Sequence, residues 1–276
     1  MSEHRVLSGE TAFGNDEKAV YEALRSIPPG LILDVGAGAG YKTKTALLHS
    51  PSSRAIAFEP FPGNWSFIDK VLGEYPNVNI VKEAVSDTPG EASFYVSTAT
   101  KAEGVWEAFE GYSSAGYIVE DGGKYPAEKV YKVPVTTIDS HVSERVSFMK
   151  IDVQGGELAV LRGASETFER GIDLLFIEFQ GDIGILDFLF ERGYIVFDLP
   201  FSLVARNPET RLSAGWKSTE ETLLSTGATS VEARRSTHIS DPVAYCNLFE
   251  SHRKDFIIWN DIVAVKPTIA AKLGWL

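Results

Sequence analysis

The sequence predicts an α/β protein built on a mostly parallel sheet, and three observations carry that reading. Short apolar runs of the kind buried in sheets alternate with stretches of helical periodicity through the first two thirds of the chain. The first of these runs ends in a glycine-rich turn that opens a helix. Acidic residues close several of the runs, at the carboxyl ends of strands where open α/β sheets gather their ligands.

Leu31 to Val35 is apolar and stops at glycines, as a strand covered on both faces does. Tyr41 to His49 reads as a helix ended by Ser50-Pro51. Arg54 to Phe58 is a second strand, closed by Glu59-Pro60-Phe61-Pro62, and Asn64 to Leu72 a helix with Trp65, Ile68, Val71 and Leu72 on one face. Val78 to Val85 is a third strand. Phe148 to Val153 and Leu174 to Phe179 are two more, separated by a helix over about Glu157 to Glu169. Ile183 to Glu191 is helical, Tyr194 to Asp198 extended, and Ile257 to Val265 a last strand. Two regions break the rhythm. Thr98 to Lys132 is rich in Gly and Tyr, with Trp106, Phe109, Tyr112, Tyr117 and Tyr125, and Phe201 to Arg253 is polar, with Trp216 and a Ser/Thr-rich run. Segments this long act as lids or binding elements, or as decoration patched by their own aromatics. The expectation is one domain over residues 1–276, with a core at about 30–200 and 256–266 and irregular insertions at about 98–132 and 201–253.

Composition narrows the function classes. The 276 residues carry 26 Lys+Arg against 38 Asp+Glu, a formal charge of −12 that offers no surplus of cations for neutralising phosphates. With 44% hydrophobic and 23% charged residues the chain has ordinary globular material for a core. Its one cysteine, Cys246, excludes an internal disulfide framework and a cysteine-based zinc site, and reads as a buried thiol. The start shows no apolar run of signal-peptide type, and no stretch reaches the roughly 20 apolar residues of a membrane span. A cytoplasmic protein with no membrane partner is expected.

The chemistry-bearing residues cluster at strand ends. Asp34-Val35-Gly36-Ala37-Gly38-Ala39-Gly40 lets the backbone turn tightly and approach a ligand that a Cβ would push away, in front of a helix N-terminus with partial positive charge and free N–H groups. Such turns serve nucleotide cofactors. The dinucleotide fingerprint G-x-G-x-x-G lacks its last glycine here, where Gly40 precedes Tyr41 and the spacing is G-x-G-x-G. Glu59 ends the second strand near the offset of a ribose-binding acid, and a carboxylate can accept from both hydroxyls of a ribose. Asp152, in Lys150-Ile151-Asp152-Val153-Gln154-Gly155-Gly156-Glu157, ends the fourth strand, and Lys150 is available to pair with it. Glu178 ends the next strand. Two acids at strand ends make acid/base chemistry conceivable and leave a metal open.

These motifs occur in one order, with Phe58-Glu59-Pro60, Ala84-Val85-Ser86-Asp87, Thr137-Ile138-Asp139 and Leu161-Arg162-Gly163-Ala164 between and after them. That order resembles the FkbM-type family of S-adenosylmethionine-dependent methyltransferases over about Leu31 to Gln180. The resemblance implies a Rossmann-like class I methyltransferase sheet of seven strands, mostly parallel, with an antiparallel last strand that Ile257 to Val265 would supply. It also implies S-adenosylmethionine as cofactor and O-methylation, often of sugars or hydroxylated natural products. Two departures stand out: Gly38-Ala39 where the family tends to write Asn-Ile, and Gln154 where it usually has Glu. On this reading Asp34, Gly36, Ala37, Gly38 and Glu59 form the cofactor site, with the turn residues on the methionine portion and Glu59 on the ribose. Glu83, Ala84 and Asp87 lie near the adenine, and Asp152 and Glu178 are the base or orienting residues. His141, His238 and His252 read as surface histidines. The acceptor expected is a hydroxylated small molecule rather than a nucleic acid. A nucleotide-dependent oxidoreductase and a non-catalytic binding protein on the same fold are the competing readings.

Overall fold

The computed structural model describes residues 7–10, 17–97, 116–118, 127–199, 202–205, 237–252 and 256–276. In chain order their elements are β1 (Leu7–Glu10), α1 (Glu17–Ala23), β2 (Leu31–Val35), α2 (Tyr41–His49), β3 (Arg54–Phe58), α3 (Pro62–Leu72), β4 (Val78–Val81), β5 (Ala84–Val85), β6 (Gly90–Ser97), β7 (Gly116–Ile118) and β8 (Ala127–Thr136). They continue with β9 (Val146–Ile151), α4 (Glu157–Arg162), α5 (Ser165–Arg170), β10 (Ile172–Phe179), α6 (Ile183–Glu191), β11 (Ile195–Asp198), β12 (Ser202–Ala205), β13 (Thr237–Ile239), α7 (Pro242–His252), β14 (Phe256–Val265) and α8 (Pro267–Leu273). The chain divides into two compact units, Leu24–Leu175 and Phe176–Leu276 with the N-terminal residues to Ala23.

In the first unit, β9, β2, β3 and β4 lie side by side in that order and run parallel, with Val35 opposite Phe58 on one side and Ile151 on the other. Every residue of β2 and β9 is buried, which is why both read as apolar runs, interrupted by Asp34 in β2 and by Ser147 and Lys150 in β9. Helix α3 closes over the turn after β2: Ile68 and Leu72 pack with Ala37 and Ala57. Each fully buried side chain of this size contributes about 1.5–3 kcal/mol of burial energy.

The segment expected as one strand over Val78 to Val85 divides at Lys82-Glu83. Val78–Val81 stays in the parallel sheet, while Ala84–Val85 pairs with Val135–Thr136 in a second sheet of order β5-β8-β6-β7. Part of the stretch read as irregular, Thr98 to Lys132, is therefore regular: β7 and the start of β8 pair with β6 or extend from it. Phe61, Ala84, Phe94 and Val133 form the core of this region, with Phe61 stacked on Phe94 at 5.8 Å. The helix expected over Glu157 to Glu169 is also two helices. The first ends at Gly163, where a Cβ would stand 2.1 Å from the carbonyl oxygen of Ser86. Asp139 starts the second helix, accepting from the backbone N–H groups of Glu166 and Thr167 and from the Thr167 hydroxyl.

In the second unit the strand order is β1-β13-β11-β14-β10, with β12 also on β14. The expected antiparallel last strand is β14, paired antiparallel with β11 from Ile195–Val265 to Asp198–Ile262. The polar stretch Phe201 to Arg253 contains β12, β13 and α7, whose Tyr245, Cys246 and Phe249 are buried. Phe179 meets Tyr245 at 5.8 Å and Phe249 at 5.2 Å, and Asn260 donates to the Tyr245 hydroxyl and the Leu199 carbonyl. Among the described residues no helix is long and apolar enough to cross a membrane.

Candidate active site

The turn after β2 is built from glycines in left-handed conformations. Gly36 has φ +79°, and a Cβ on it would lie 1.9 Å from the carbonyl oxygen of Asp152, so β9 closes directly onto this residue. Gly40 has φ +84°, and a Cβ there would strike Leu72 at 2.7 Å. Four N–H groups of the turn itself are engaged within the fold, while helix α2 behind it carries no side-chain cap. Gly36 and Ala37 donate to the Phe58 carbonyl, Gly40 to the Ala37 carbonyl, and Gly38 to Glu59 Oε2 at 2.7 Å. Gly36 and Gly38 are the half-buried residues of the turn.

Glu59 is 4% exposed. Its Oε2 accepts from Gly38 and its Oε1 from the Phe61 backbone N–H at 2.8 Å, so it ties the end of β3 to the turn and to the start of α3. Burial pushes its carboxyl up to about 7; the hydrogen bonds from Phe61, Gly38 and Asn64 act downward and the charge of Asp34 adds to the rise. The indole of Trp65 donates to the Glu59 carbonyl, and Lys82 sits 5.0 Å from its ring.

Beneath the turn, Lys150 is buried between two carboxylates. Its Nζ lies 3.4 Å from Asp34 Oδ1, 3.4 Å from Asp152 Oδ2 and 3.2 Å from the Gly36 carbonyl oxygen, to which it donates. Burial pulls the ammonium down, but Asp152 and Asp34 outweigh it and hold the group above its usual range. Asp34 is sealed from solvent and takes a hydrogen bond from the Thr43 hydroxyl at 2.6 Å, which fastens β2 to α2. The side chain of Asp152 is 38% exposed and accepts from Gln154 Nε2 at 2.8 Å. Gln154 has φ +61°, the one non-glycine residue with positive φ among the described residues. Glu157, buried and with its carboxyl raised by that burial, accepts from the backbone N–H groups of Val153 and Gly155 on either side of Gln154.

The remaining expected residues are placed as follows. Glu83 follows β4, and its carboxylate lies 3.7 Å from His141 Nε2. His141 is an exposed histidine as expected, with Nε2 3.0 Å from the Thr136 hydroxyl and its ring edge-on against Phe58 at 5.3 Å. Ala84 is buried in β5 and Asp87 is exposed beside the Thr88 hydroxyl. Glu178, in the second unit, is half-buried with Gln180 Nε2 at 3.4 Å. His238 lies against Phe197, and burial lowers its pKa. Trp106, Phe109, Tyr112, Tyr125 and Trp216 lie outside the described residues, as do the side chains of Tyr117 and His252. Among the described residues no group of three or more His, Cys, Asp or Glu gathers to hold a metal ion. Lys150, Gln154 and Glu157 were visible in one stretch of sequence, but their roles depend on a left-handed backbone that the spacing does not announce.

Solved structures that resemble the chain include an FkbM methyltransferase, a precorrin methyltransferase and a tRNA methyltransferase, each with a TM-score below 0.5. An FkbM methyltransferase from Methylobacillus flagellatus KT has TM-score 0.44 and 17% identity over 62% of this chain and 40% of its own, so the chain spans less than half of that relative. A precorrin-6y C5,15-methyltransferase from Geobacter metallireducens GS-15 has TM-score 0.41 and 11% identity over 96% and 98% of the two chains. Sp1610 of Streptococcus pneumoniae, described as a tRNA methyltransferase in complex with S-adenosyl-L-methionine, has TM-score 0.38 and 11% identity over 89% and 71%. Among curated proteins no sequence matches at a significant level. The model of the methyltransferase FkbM domain matches residues 34–196, a span from the acid of the first strand past the Lys150–Glu157 motif that takes in more than half of the chain, and by that match the protein belongs to the FkbM methyltransferase family.

Proposed function

We propose that the protein binds S-adenosylmethionine against the Gly36–Gly40 turn and transfers its methyl group to a hydroxyl of a polar small molecule. The observation that carries this reading is the electrostatics of the turn. A pyrophosphate-binding loop presents free backbone N–H groups to an anion. Here the N–H groups of Gly36, Ala37, Gly38 and Gly40 are spent within the fold, and the carboxylates of Asp34 and Asp152 outnumber the one ammonium between them. That surrounding repels pyrophosphate and suits a cofactor with cationic centres. The half-buried glycine surface gives room for such a group, and Glu59, buried behind it with one oxygen on Gly38 N and the other on Phe61 N, sets the shape of the turn on the ribose side.

S-adenosylmethionine, once bound, supplies an electrophilic sulfonium methyl. The work left to the chain is orientation and exclusion of water. Gly36, Ala37 and Gly38 line the methionine portion, Glu59 the ribose, and Glu83 with Asp87 the adenine. Asp34 acts from beneath, through Lys150 and Thr43, and Ala84 holds the start of the second sheet. The acceptor's proton goes to Asp152 or Glu178, and the loss of turnover in Asp152→Asn against Glu178→Gln assigns it, at about 10²–10⁴-fold for the true base.

A hydroxylated small molecule is favoured over nucleic acid by charge. The chain carries −12, and Thr98 to Lys132 holds four Lys against six Asp and Glu around its aromatics, a balance that disfavours phosphate backbones. Calorimetry tests the cofactor: S-adenosylhomocysteine binds and NADH does not, and the reverse result replaces the methyltransferase reading with the oxidoreductase one. Mass spectrometry with S-adenosylmethionine tests the acceptor, since methylation of RNA in preference to a glycan panel overturns the small-molecule assignment.

A further inference from the structure

We propose that helix α4 is a strut between two sides of the site, with Gly163 and Glu157 as positioning residues at its ends, so that the place of the Ser86–Asp87 backbone sets the turn that aims Asp152. The inference rests on the reading above, with adenine beside Asp87 and Asp152 as one of the two candidate bases, and adds a link between them. At one end of α4 the contact is backbone on backbone. A Cβ on Gly163 would stand 2.1 Å from the Ser86 carbonyl oxygen and 3.2 Å from Asp87 Cα. Gly163 has φ −72°, which any residue adopts, so the close approach alone calls for glycine. Both partners are tied down: Ser86 N donates to the Thr136 carbonyl, and the Gly163 carbonyl accepts from Asp139 N. No flexible side chain stands at this contact to take up a shift.

At the other end the contact is one carboxylate. Glu157, the first residue of α4, is buried, and its Oε1 accepts from Val153 N at 3.1 Å and from Gly155 N at 3.0 Å. Between those two donors sits Gln154 at φ +61°, a backbone conformation that costs an L-residue energy and persists only where its surroundings enforce it. From there its carboxamide donates to Asp152 Oδ1 at 2.8 Å. Withdrawing Glu157 lets Gln154 relax and releases Asp152 from it. The helix between the two ends is poorly suited to absorbing a push. It has six residues, a length of about 9 Å, and Val160 and Leu161 are fully buried. Packing at interior density transmits displacement rather than damping it. The strained turn is the element with two arrangements that such a link requires.

Hydrogen exchange on the full chain, read by mass spectrometry with adenosine as the probe, tests the strut. Bound adenosine is expected to slow exchange over residues 84–88 and, through α4, over residues 153–157, each by about 3–10-fold. In Glu157→Ala the slowing at 153–157 is expected to disappear while that at 84–88 stays. Glu157→Gln, whose side-chain oxygen still accepts from both N–H groups, is expected to keep both. Slowing at 153–157 that is absent from the wild type, persists in Glu157→Ala or is lost in Glu157→Gln overturns the strut and leaves the adenine placement standing. If Glu157→Ala does not fold, Gly163→Ala displaces the other end instead. Exchange at 153–157 in the ligand-free protein is then expected to rise by about 3–10-fold, and no rise overturns the strut. Wild-type protein that shows no slowing at 84–88 with adenosine or with S-adenosylhomocysteine overturns the adenine placement itself, and the strut with it.

Discussion

Glutamine at position 59 keeps the shape of the side chain and removes its titration. Burial raises the Glu59 carboxyl from 4.5 to about 7, against the opposing hydrogen bonds of Phe61, Gly38 and Asn64 and with the added effect of Asp34. An unfolded chain releases this proton near 4.5 and the folded protein only near 7, so the folded state holds more protons across that window. Stability contributed by the group is complete below the lower value and is lost as pH rises through the upper one. At about 1.4 kcal/mol per pH unit, ionising Glu59 costs the native state about 3 kcal/mol by about pH 8. The variant carries no such dependence. It has instead a fixed penalty of about 1–3 kcal/mol, because its amide NH₂ faces one of the two backbone donors, Gly38 N or Phe61 N. Urea unfolding of both proteins from about pH 4 to about pH 8 gives the difference curve, in which other titrating groups such as Glu157 cancel. The expected curve moves by about 3 kcal/mol in favour of Glu59→Gln as pH rises. A flat difference refutes the burial argument for this carboxyl.

Three further outcomes follow from packing. Gly36→Ala places a Cβ 1.9 Å from the Asp152 carbonyl oxygen at φ +79° and should destabilise the protein by about 2 kcal/mol or more, seen as a lowered urea midpoint; an unchanged midpoint contradicts the close approach. Asp139→Ala removes the acceptor of three hydrogen bonds at the start of α5 and should cost about 1–2 kcal/mol in the same assay while S-adenosylhomocysteine affinity holds. Replacing Lys101–Tyr125 by a short Gly-Ser link removes β7 from the edge of the second sheet. Calorimetry should then show S-adenosylhomocysteine bound within about 3-fold of wild type while methylation of the small acceptor disappears, and retained acceptor affinity would count against a role for this segment.

Much of the parallel half of the fold is legible from local pattern. Leu31–Val35, Val146–Ile151 and Ile172–Phe179 are apolar without alternation because both faces of each strand are buried, and burial of that kind leaves its mark on composition. The second sheet is less legible. Val78 to Val85 reads as one strand but serves two sheets, and nothing local says that Ala84 and Val85 pair with residues about fifty positions later. The close approach at Gly163 is to Ser86, and the cap on α5 comes from Asp139, each distant in sequence. At the site, spacing draws attention to Gly36, Gly38, Glu59 and Asp152. It does not reveal that the turn's N–H groups are consumed by the Phe58 carbonyl and by Glu59, because that follows from the register of β2 against β3. Spacing thus marks where the turn lies, and the strand register decides which of its N–H groups are spent within the fold.

The register of β6 against β8 bears on how this protein could diversify. Ser97 stands directly opposite Ala127, so the stretch between them is an excursion from one ladder, of which β7 pairs back onto β6 at Phe94, Tyr95 and Val96. Closing such an excursion costs entropy that grows only with the logarithm of its length, about 0.6 kcal/mol for each doubling. Phe94 and Val133, which anchor the ladder against Phe61, lie outside the excursion. Changing the length of this stretch is thus cheap in closure entropy, while any replacement must restore the three-residue pairing of β7 with β6. A chimera that grafts the stretch from one family member onto another tests whether acceptor choice travels with it.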